Sequence, residues 1–367
     1  MTNWQSFIII KTKVYPKMKN LRNNNEFYFQ WHITERCNLR CIHCYQEGHT
    51  IRSEFSLAQL EEIADRIILT LRKWRKRGRI ALTGGEPFLK KELFPLIEYL
   101  EQSKYIWRIG ILTNGILINE KIADRLTTFQ KLYYVQISLD GASQETNDFI
   151  RGEGSYEKVM NSLKILREKG INTRLMFTVH KRNYQEVLAL IDLAIKEKID
   201  ALTIERFVPE GKGAEIRDWF LTKEEVHKLF QYVSHRADSE YQKGTSLKIL
   251  KYRTLWANID PGRTKAVDVP LETDLGAMCS IGIDSLTILS DGTVLPCRRL
   301  PIPIGNLKND SIFKIWYTSD LLWKIRNKNN LKGKCNGCDL IPRCSGCRAI
   351  AYAVTGDYLA QDPQCWK

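Results

Sequence analysis

The sequence predicts an α/β fold: an open, partial (β/α)6 barrel followed by a C-terminal cysteine-rich domain. Three observations predict it. Between residues 27 and 239, apolar strand segments alternate six times with amphipathic helical segments. Such alternation builds a parallel sheet with right-handed crossovers, and six units fall short of the eight that close a full barrel. The ten cysteines stand in two groups, with none between Cys44 and Cys279. Finally, 43% of the 367 residues are hydrophobic and 27% charged, which supplies a large core and excludes a disordered chain.

The elements follow in order. Residues 1–26 are polar and Asn-rich apart from the aliphatic block Phe7–Ile10, and read as an N-terminal arm with room for one strand. The block is too short for a signal peptide, and no apolar run approaches the roughly 18 residues of a membrane helix, so a cytoplasmic protein is expected. Phe27 to Thr34 is the first strand. Ser56 and Gln59 form a capping-box pattern, and Leu57, Leu60, Ile63, Ala64, Ile67, Ile68 and Leu71 follow helical spacing. Arg79–Thr83, Ile106–Thr113, Tyr133–Leu139, Asn172–Val179 and Ala201–Phe207 are the remaining strands. The helices between them are Glu92–Ser103, Asn119–Thr128 and Tyr156–Lys169, the last stopped by Gly170. Asn183 with Glu186, and Thr222 with Glu225, cap two more, the second ending near Ala237. Residues 27–239 form the core domain. Residues 240–275 contain Pro261, Gly262 and Pro270 and read as a linker, and residues 276–367 show little regular pattern.

Lys plus Arg is 56 against 42 Asp plus Glu, a net charge of +14. The densest basic run, Arg72 to Arg79, ends an amphipathic helix, where cations suit the dipole. Aromatic residues do not interleave with it, so neither nucleic acid nor a membrane is an expected partner.

A long chain without an export signal points its clustered cysteines to metal, not to disulfides. Cys37-Asn-Leu-Arg-Cys41-Ile-His-Cys44 follows directly on the first strand. Three thiolates in one loop can hold three corners of an iron–sulfur cube and leave the fourth iron open. Zinc would want a fourth ligand, and His43 is the alternative that the loop offers.

With Tyr45 behind it, this CxxxCxxC loop resembles that of the radical S-adenosylmethionine (SAM) superfamily. The resemblance continues along the strand ends. Thr83-Gly84-Gly85-Glu86-Pro87 is similar to the family's segment that contacts the SAM amino group. Thr113-Asn114-Gly115 ends the third strand. Ser138-Leu139-Asp140-Gly141 ends the fourth, where the family places a serine and a carboxylate near the cofactor. Arg151-Gly152 follows, and such an arginine reaches the SAM carboxylate. The resemblance thus implies SAM contacts from Tyr45, Gly84, Gly85, Glu86, Asn114, Ser138, Asp140 and Arg151. It also implies a [4Fe–4S] cluster on Cys37, Cys41 and Cys44, and reductive cleavage of SAM to a 5′-deoxyadenosyl radical.

Cys279 and Cys297 frame Gly292, and Cys335-x2-Cys338-x5-Cys344-x2-Cys347 and Cys365 follow. The middle four alone would suit a zinc ribbon. Behind a radical SAM barrel, all seven resemble the SPASM domain, which carries auxiliary [4Fe–4S] clusters. The resemblance implies one cluster on Cys335, Cys338, Cys344 and Cys365. It implies a second on Cys279, Cys297 and Cys347, with a fourth iron open or held by a group such as Asp284 or Ser285. The interval at Ser345 and Gly346 is two residues where the family often has three. No cysteine is left over as a hydrogen donor, so thiol-quenched epimerisation is not expected.

The family implies an iron-dependent oxidoreductase fed by a low-potential donor of ferredoxin or flavodoxin type. A maturase that oxidatively modifies a peptide or protein is the first expectation. Only 26 residues precede the first strand, so a peptide's leader is expected to be recognised by a separate protein or to be absent. The alternative is a small-molecule enzyme of tetrapyrrole (haem) biosynthesis. A non-catalytic metal-binding protein is a third, which the strand-end motifs oppose.

Overall fold

The computed structural model describes residues 7–10, 13–16, 25–46, 54–251, 254–259, 279–341 and 344–367. Six parallel strands lie side by side in sequence order: β1 (Glu26–Thr34), β2 (Arg77–Gly84), β3 (Ile106–Thr113), β4 (Leu132–Ser138), β5 (Thr173–Val179) and β6 (Ala201–Arg206). Their carboxyl ends therefore share one edge. The period of two decides which side chains go where. In β1, Phe27, Phe29, Trp31 and Ile33 enter the apolar core. Between them, Tyr28 and Gln30 line a central cavity. Thr83, Leu112, Gln136, Thr178 and Glu205 from the other five strands line the same cavity, so the sheet curves around it as a partial barrel.

Helices α1 (Leu57–Trp74), α2 (Leu93–Glu101), α3 (Glu120–Thr127), α4 (Gln144–Arg151), α5 (Ser155–Glu168), α6 (Val187–Lys196) and α7 (Lys223–Gln242) connect the strands. In α1 the predicted stripe is the buried one: Leu60, Ile63, Ala64, Ile67 and Leu71. Losing one such Leu or Ile side chain to alanine costs about 2–5 kcal/mol. The capping boxes at Ser56/Gln59 and Thr222/Glu225 both form. Gly170 adopts φ +66°, as a helix stop requires.

Three expectations differ from the structure. The Asn183/Glu186 capping box does not form: Asn183 makes no side-chain cap bond, and a 3-10 turn precedes α6. Both side chains have tertiary partners instead. Asn183 Oδ1 accepts the His180 N–H at 2.8 Å, and Glu186 Oε2 accepts the Ala142 N–H at 2.6 Å. Helix α4 was not anticipated, because QETNDFIR offers only Asn147, Ile150 and Arg151 to the interior. The N-terminal arm contains a two-stranded antiparallel hairpin, Phe7–Ile10 with Lys13–Pro16, in place of the single strand.

The C-terminal segment is more regular than its sequence suggests. It contains β8 (Ser285–Ile288), β9 (Thr293–Leu295), β10 (Gly305–Asn306), α8 (Ile312–Thr318), α9 (Asp320–Arg326) and α10 (Arg348–Thr355). These elements are too short to show a period. Strand β8 pairs parallel with β1, and β7 (Lys248–Ile249), from within the expected linker, pairs with β6. Among the described residues the sheet thus has ten strands in the order β10-β9-β8-β1-β2-β3-β4-β5-β6-β7. Residues 260–275 of the expected linker lie outside the described residues. Among the described residues, no helix is long and apolar enough to cross a membrane.

Candidate active site

The loop after β1 brings Cys37, Cys41 and Cys44 to the carboxyl edge of the sheet. All three line the cavity, whose volume is about 390 Å³. Tight packing against neighbouring backbone holds the loop. The Gly85 N–H donates to Thr34 O at 2.9 Å, and the Glu86 N–H to Arg36 O at 2.7 Å. A Cβ on Gly84 or Gly85 would lie 2.2 Å from Thr34 O or Arg36 O, so the paired glycines permit this approach. On the opposite side the Gly213 N–H donates to Cys44 O at 3.0 Å, and a Cβ on Gly211 would meet Tyr45 O at 2.3 Å. The sequence reading did not single out these two glycines.

Each predicted contact residue has a defined place. Tyr45, Gly84, Gly85, Asn114, Ser138 and Arg151 line the cavity beside the thiols. Burial pushes the Tyr45 hydroxyl up to about 12, and the Arg298 guanidinium lies 4.6 Å from its ring centroid. Asn114 Nδ2 donates to Asn38 Oδ1 at 2.8 Å and lies 3.9 Å from Cys37 Sγ. Arg151 Nη1 is 3.9 Å from Cys41 Sγ.

Glu86 and Asp140 are not among the cavity-lining residues, and both are fully buried. The Glu86 carboxylate accepts from Thr113 Oγ1 (2.8 Å), the Asn114 N–H (2.8 Å) and the Phe88 N–H (3.1 Å). It holds the loop after β3 and caps its own 3-10 turn. Burial pushes its pKa up to about 7 against the pull of those donors. Asp140 pairs with Arg151 Nη2 at 2.6 Å and His43 Nε2 at 3.0 Å. Burial alone would raise its pKa; Arg151, then His43, hold it well below the usual carboxylate range. His43 thus faces a carboxylate. Among the described residues, no group of three or more His, Cys, Asp or Glu is arranged to hold a single metal ion.

The seven later cysteines sort into two sets. Cys279, Cys297 and Cys347 pack against one small apolar cluster with Val208, Ile281, Leu300 and Ile350. Cys335 and Cys344 lie near enough to Cys365 to interact with it electrostatically, and Lys367 interacts with both Cys338 and Cys365. Between the sets lies a buried pair that the sequence reading missed. Arg206 grips Asp362 through both nitrogens at 3.0 and 2.8 Å, and Asp362 Oδ2 accepts the Cys347 N–H at 2.7 Å. Asp284 stands at the start of β8, where its carbonyl accepts the Tyr28 N–H, and its charge acts on Lys76. Ser285 Oγ lies 2.9 Å from Ser280 Oγ, next to Cys279.

These thiols fit iron–sulfur clusters. The ten cysteines form no disulfide. Burial raises the pKa of Cys37, Cys41, Cys44, Cys344, Cys347 and Cys365. Bound iron would stabilise the thiolates that burial disfavours.

Comparisons with known proteins agree. Residues 31–194 match the model of the radical SAM superfamily, and residues 279–339 that of the SPASM iron–sulfur cluster-binding domain. The chain is 30% identical to an Fe-coproporphyrin III synthase of Methanosarcina barkeri over 92% of its own length and 86% of that protein. It is 28% identical to an AdoMet-dependent heme synthase of the same organism, over 91% and 95%. It is 27% identical to the subtilosin biosynthesis protein AlbA of Bacillus subtilis, over 86% and 69%. In fold it resembles Streptococcus suis SuiB bound to the precursor peptide SuiA, with a TM-score of 0.74 at 20% identity, covering 93% of this chain and 76% of that one. The chain belongs to the radical SAM superfamily and is an enzyme with a SPASM domain, using SAM and [4Fe–4S] clusters.

Proposed function

We propose that this enzyme acts on a small, carboxylate-bearing molecule of the tetrapyrrole class. The observation that carries the reading is the charge and shape of the cavity. Its lining includes seven arginines and Lys248, together with Tyr28, Tyr45, Tyr133 and Tyr134; Arg79, Arg151, Arg206 and Arg299 already pair with Glu26, Asp140, Asp362 and Glu205, and Asp200 and Asp284 also line it. A cationic interior suits several carboxylates, and planar phenol rings suit a flat macrocycle. The haem-pathway relatives, matched over most of their length, support the same class. A peptide substrate is the second reading, and AlbA favours it.

In this account Cys37, Cys41 and Cys44 hold the cluster that binds SAM. Once bound, SAM and the reduced cluster supply a carbon radical capable of hydrogen abstraction. The protein's residues orient and shield. Gly84 and Gly85 bring backbone to the cofactor. Asn114, Ser138 and Arg151 offer polar contacts, and Tyr45 with Arg298 closes one wall. Glu86 and Asp140 act from behind. Cys335, Cys338, Cys344 and Cys365 hold one auxiliary cluster, and Cys279, Cys297 and Cys347 three corners of another. Electrons come from a low-potential donor of ferredoxin or flavodoxin type.

The test is anaerobic incubation of the reconstituted enzyme with SAM and dithionite, adding iron porphyrins bearing propionate side chains or candidate peptides. The proposal expects a porphyrin to be consumed with matching 5′-deoxyadenosine. Turnover of a peptide and of no porphyrin would establish the second reading.

A further inference from the structure

His43 is the one polar residue inside the Cys41–Cys44 turn, and no cluster or SAM contact accounts for it. Its Nε2 is 3.0 Å from Asp140 Oδ2, an atom shared with Arg151 Nη2 at 2.6 Å. The aspartate is itself fixed on every side. Its Oδ1 accepts the Thr178 N–H at 2.7 Å, at the end of β5. Its own N–H donates to Asn147 Oδ1 of α4 at 3.0 Å, and its carbonyl accepts Asn183 Nδ2 at 3.0 Å. Arg151 in turn directs Nη1 toward Cys41 Sγ at 3.9 Å, and the Ile42 N–H donates to Ile150 O at 3.0 Å. His180, 5.9 Å from His43 between ring centroids, is held down to about 3 by burial and then by the neighbouring His43, and so stands as a neutral wall.

We infer that Asp140 is a positioning residue for the cluster loop. It aims the Arg151 guanidinium at the Cys41 sulfur and ties the His43 imidazole so that the Cys41–Cys44 turn stays closed. This rests on Cys37, Cys41 and Cys44 being the ligands of the SAM-binding cluster. A cation and N–H donor beside a ligand sulfur stabilises the electron added on reduction, so its orientation sets how readily the cluster is reduced. Arg151 performs this by contact, and Asp140 and His43 act through others.

The sign of one substitution separates positioning from simple charge. Asp140→Asn removes a negative charge near the cluster, which by itself makes reduction easier. It also sets an amide N–H where the guanidinium and imidazole now find an acceptor, which releases Arg151. Positioning therefore predicts the opposite: reduction becomes harder. The readout is the EPR signal that is absent from the triple variant Cys37→Ala, Cys41→Ala, Cys44→Ala, followed at fixed solution potentials without SAM, because Arg151 is itself a proposed SAM contact. We expect the ratio of reduced to oxidised cluster to fall about tenfold in Asp140→Asn, the lower end of what partners behind metal ligands are worth. Arg151→Lys, which retains the cation but not the fork, should fall similarly and takes over the test should Asp140→Asn fail to bind iron. His43→Gln leaves the Arg151 pair intact. It should preserve the ratio while losing iron to a chelator about tenfold faster. A ratio unchanged or raised in the first two variants overturns the inference. A triple variant that keeps every signal of the wild type overturns instead the assignment of the three cysteines.

Discussion

Removing the Asp362 carboxylate should loosen the C-terminal segment from the barrel. Arg206 and Asp362 are almost completely buried, with side chains 6% and 0% exposed. Arg206 Nη1 also bonds Gln364 Oε1 at 2.8 Å and Nη2 bonds Thr254 Oγ1 at 3.0 Å. Asp362→Ala leaves a guanidinium with no anion and the N–H groups of Cys347 and Gln364 without their acceptor. Breaking a buried pair from one side costs about 3–5 kcal/mol. Against a total stability of roughly 5–15 kcal/mol this is a large share. In anaerobic urea unfolding, with a slope of about 3 kcal/mol/M, the midpoint should fall by roughly 1 M or more. Because Asp362 stands beside Cys347 and Cys365, iron per chain should fall as well. Arg206→Met with Asp362→Leu removes both charges and should lie closer to wild type than the single variant. A single variant with unchanged midpoint and full iron would refute the claim that this pair joins the segments. The pH dependence has a definite sign. Burial would raise the Asp362 pKa, but Arg206 holds it below the unfolded value of about 3.9. Its contribution is complete above that value and is lost as pH falls toward the folded one.

Two further outcomes can be checked. Glu86 has the opposite sign: its folded pKa near 7 lies above the unfolded value, so its effect is absent below about pH 4.5 and destabilises by roughly 3 kcal/mol as pH rises to 7. Unfolding measured at pH 5 and pH 7 should show Glu86→Gln gaining on wild type at the higher pH; parallel curves would contradict this. Gly211→Ala puts a Cβ against Tyr45 O at a residue with φ +59°, so it should cost about 1–3 kcal/mol and weaken iron retention at the first cysteine loop, measured by chelator challenge.

Much of the site was legible because its residues are adjacent in sequence. Cys37, Cys41 and Cys44 stand within eight residues, and strand ends place Gly84, Asn114 and Ser138 on one edge once the alternation is read. What stayed hidden depends on partners distant in sequence. The direction of the Glu86 carboxylate is decided by Thr113 and Asn114, and that of Arg206 by Asp362, 156 positions later. Arg298 gains its place over Tyr45 only because β8 joins the sheet beside β1. Asn183 and Glu186 have the right spacing for a capping box, yet the His180 and Ala142 N–H groups claim their side chains. The elements α8, α9 and α10 have seven or eight residues each, too few for a helical period to stand out.

The central claim is that Cys37, Cys41 and Cys44 hold the cluster on which SAM is cleaved, with separate clusters in the C-terminal segment. The most direct measurement compares wild type with the triple variant Cys37→Ala, Cys41→Ala, Cys44→Ala, both reconstituted anaerobically and incubated with SAM and dithionite. Wild type should hold about twelve irons, four for each of three cubes, and form 5′-deoxyadenosine. The triple variant should retain about eight irons and form none. Continued 5′-deoxyadenosine formation by the triple variant would contradict the account.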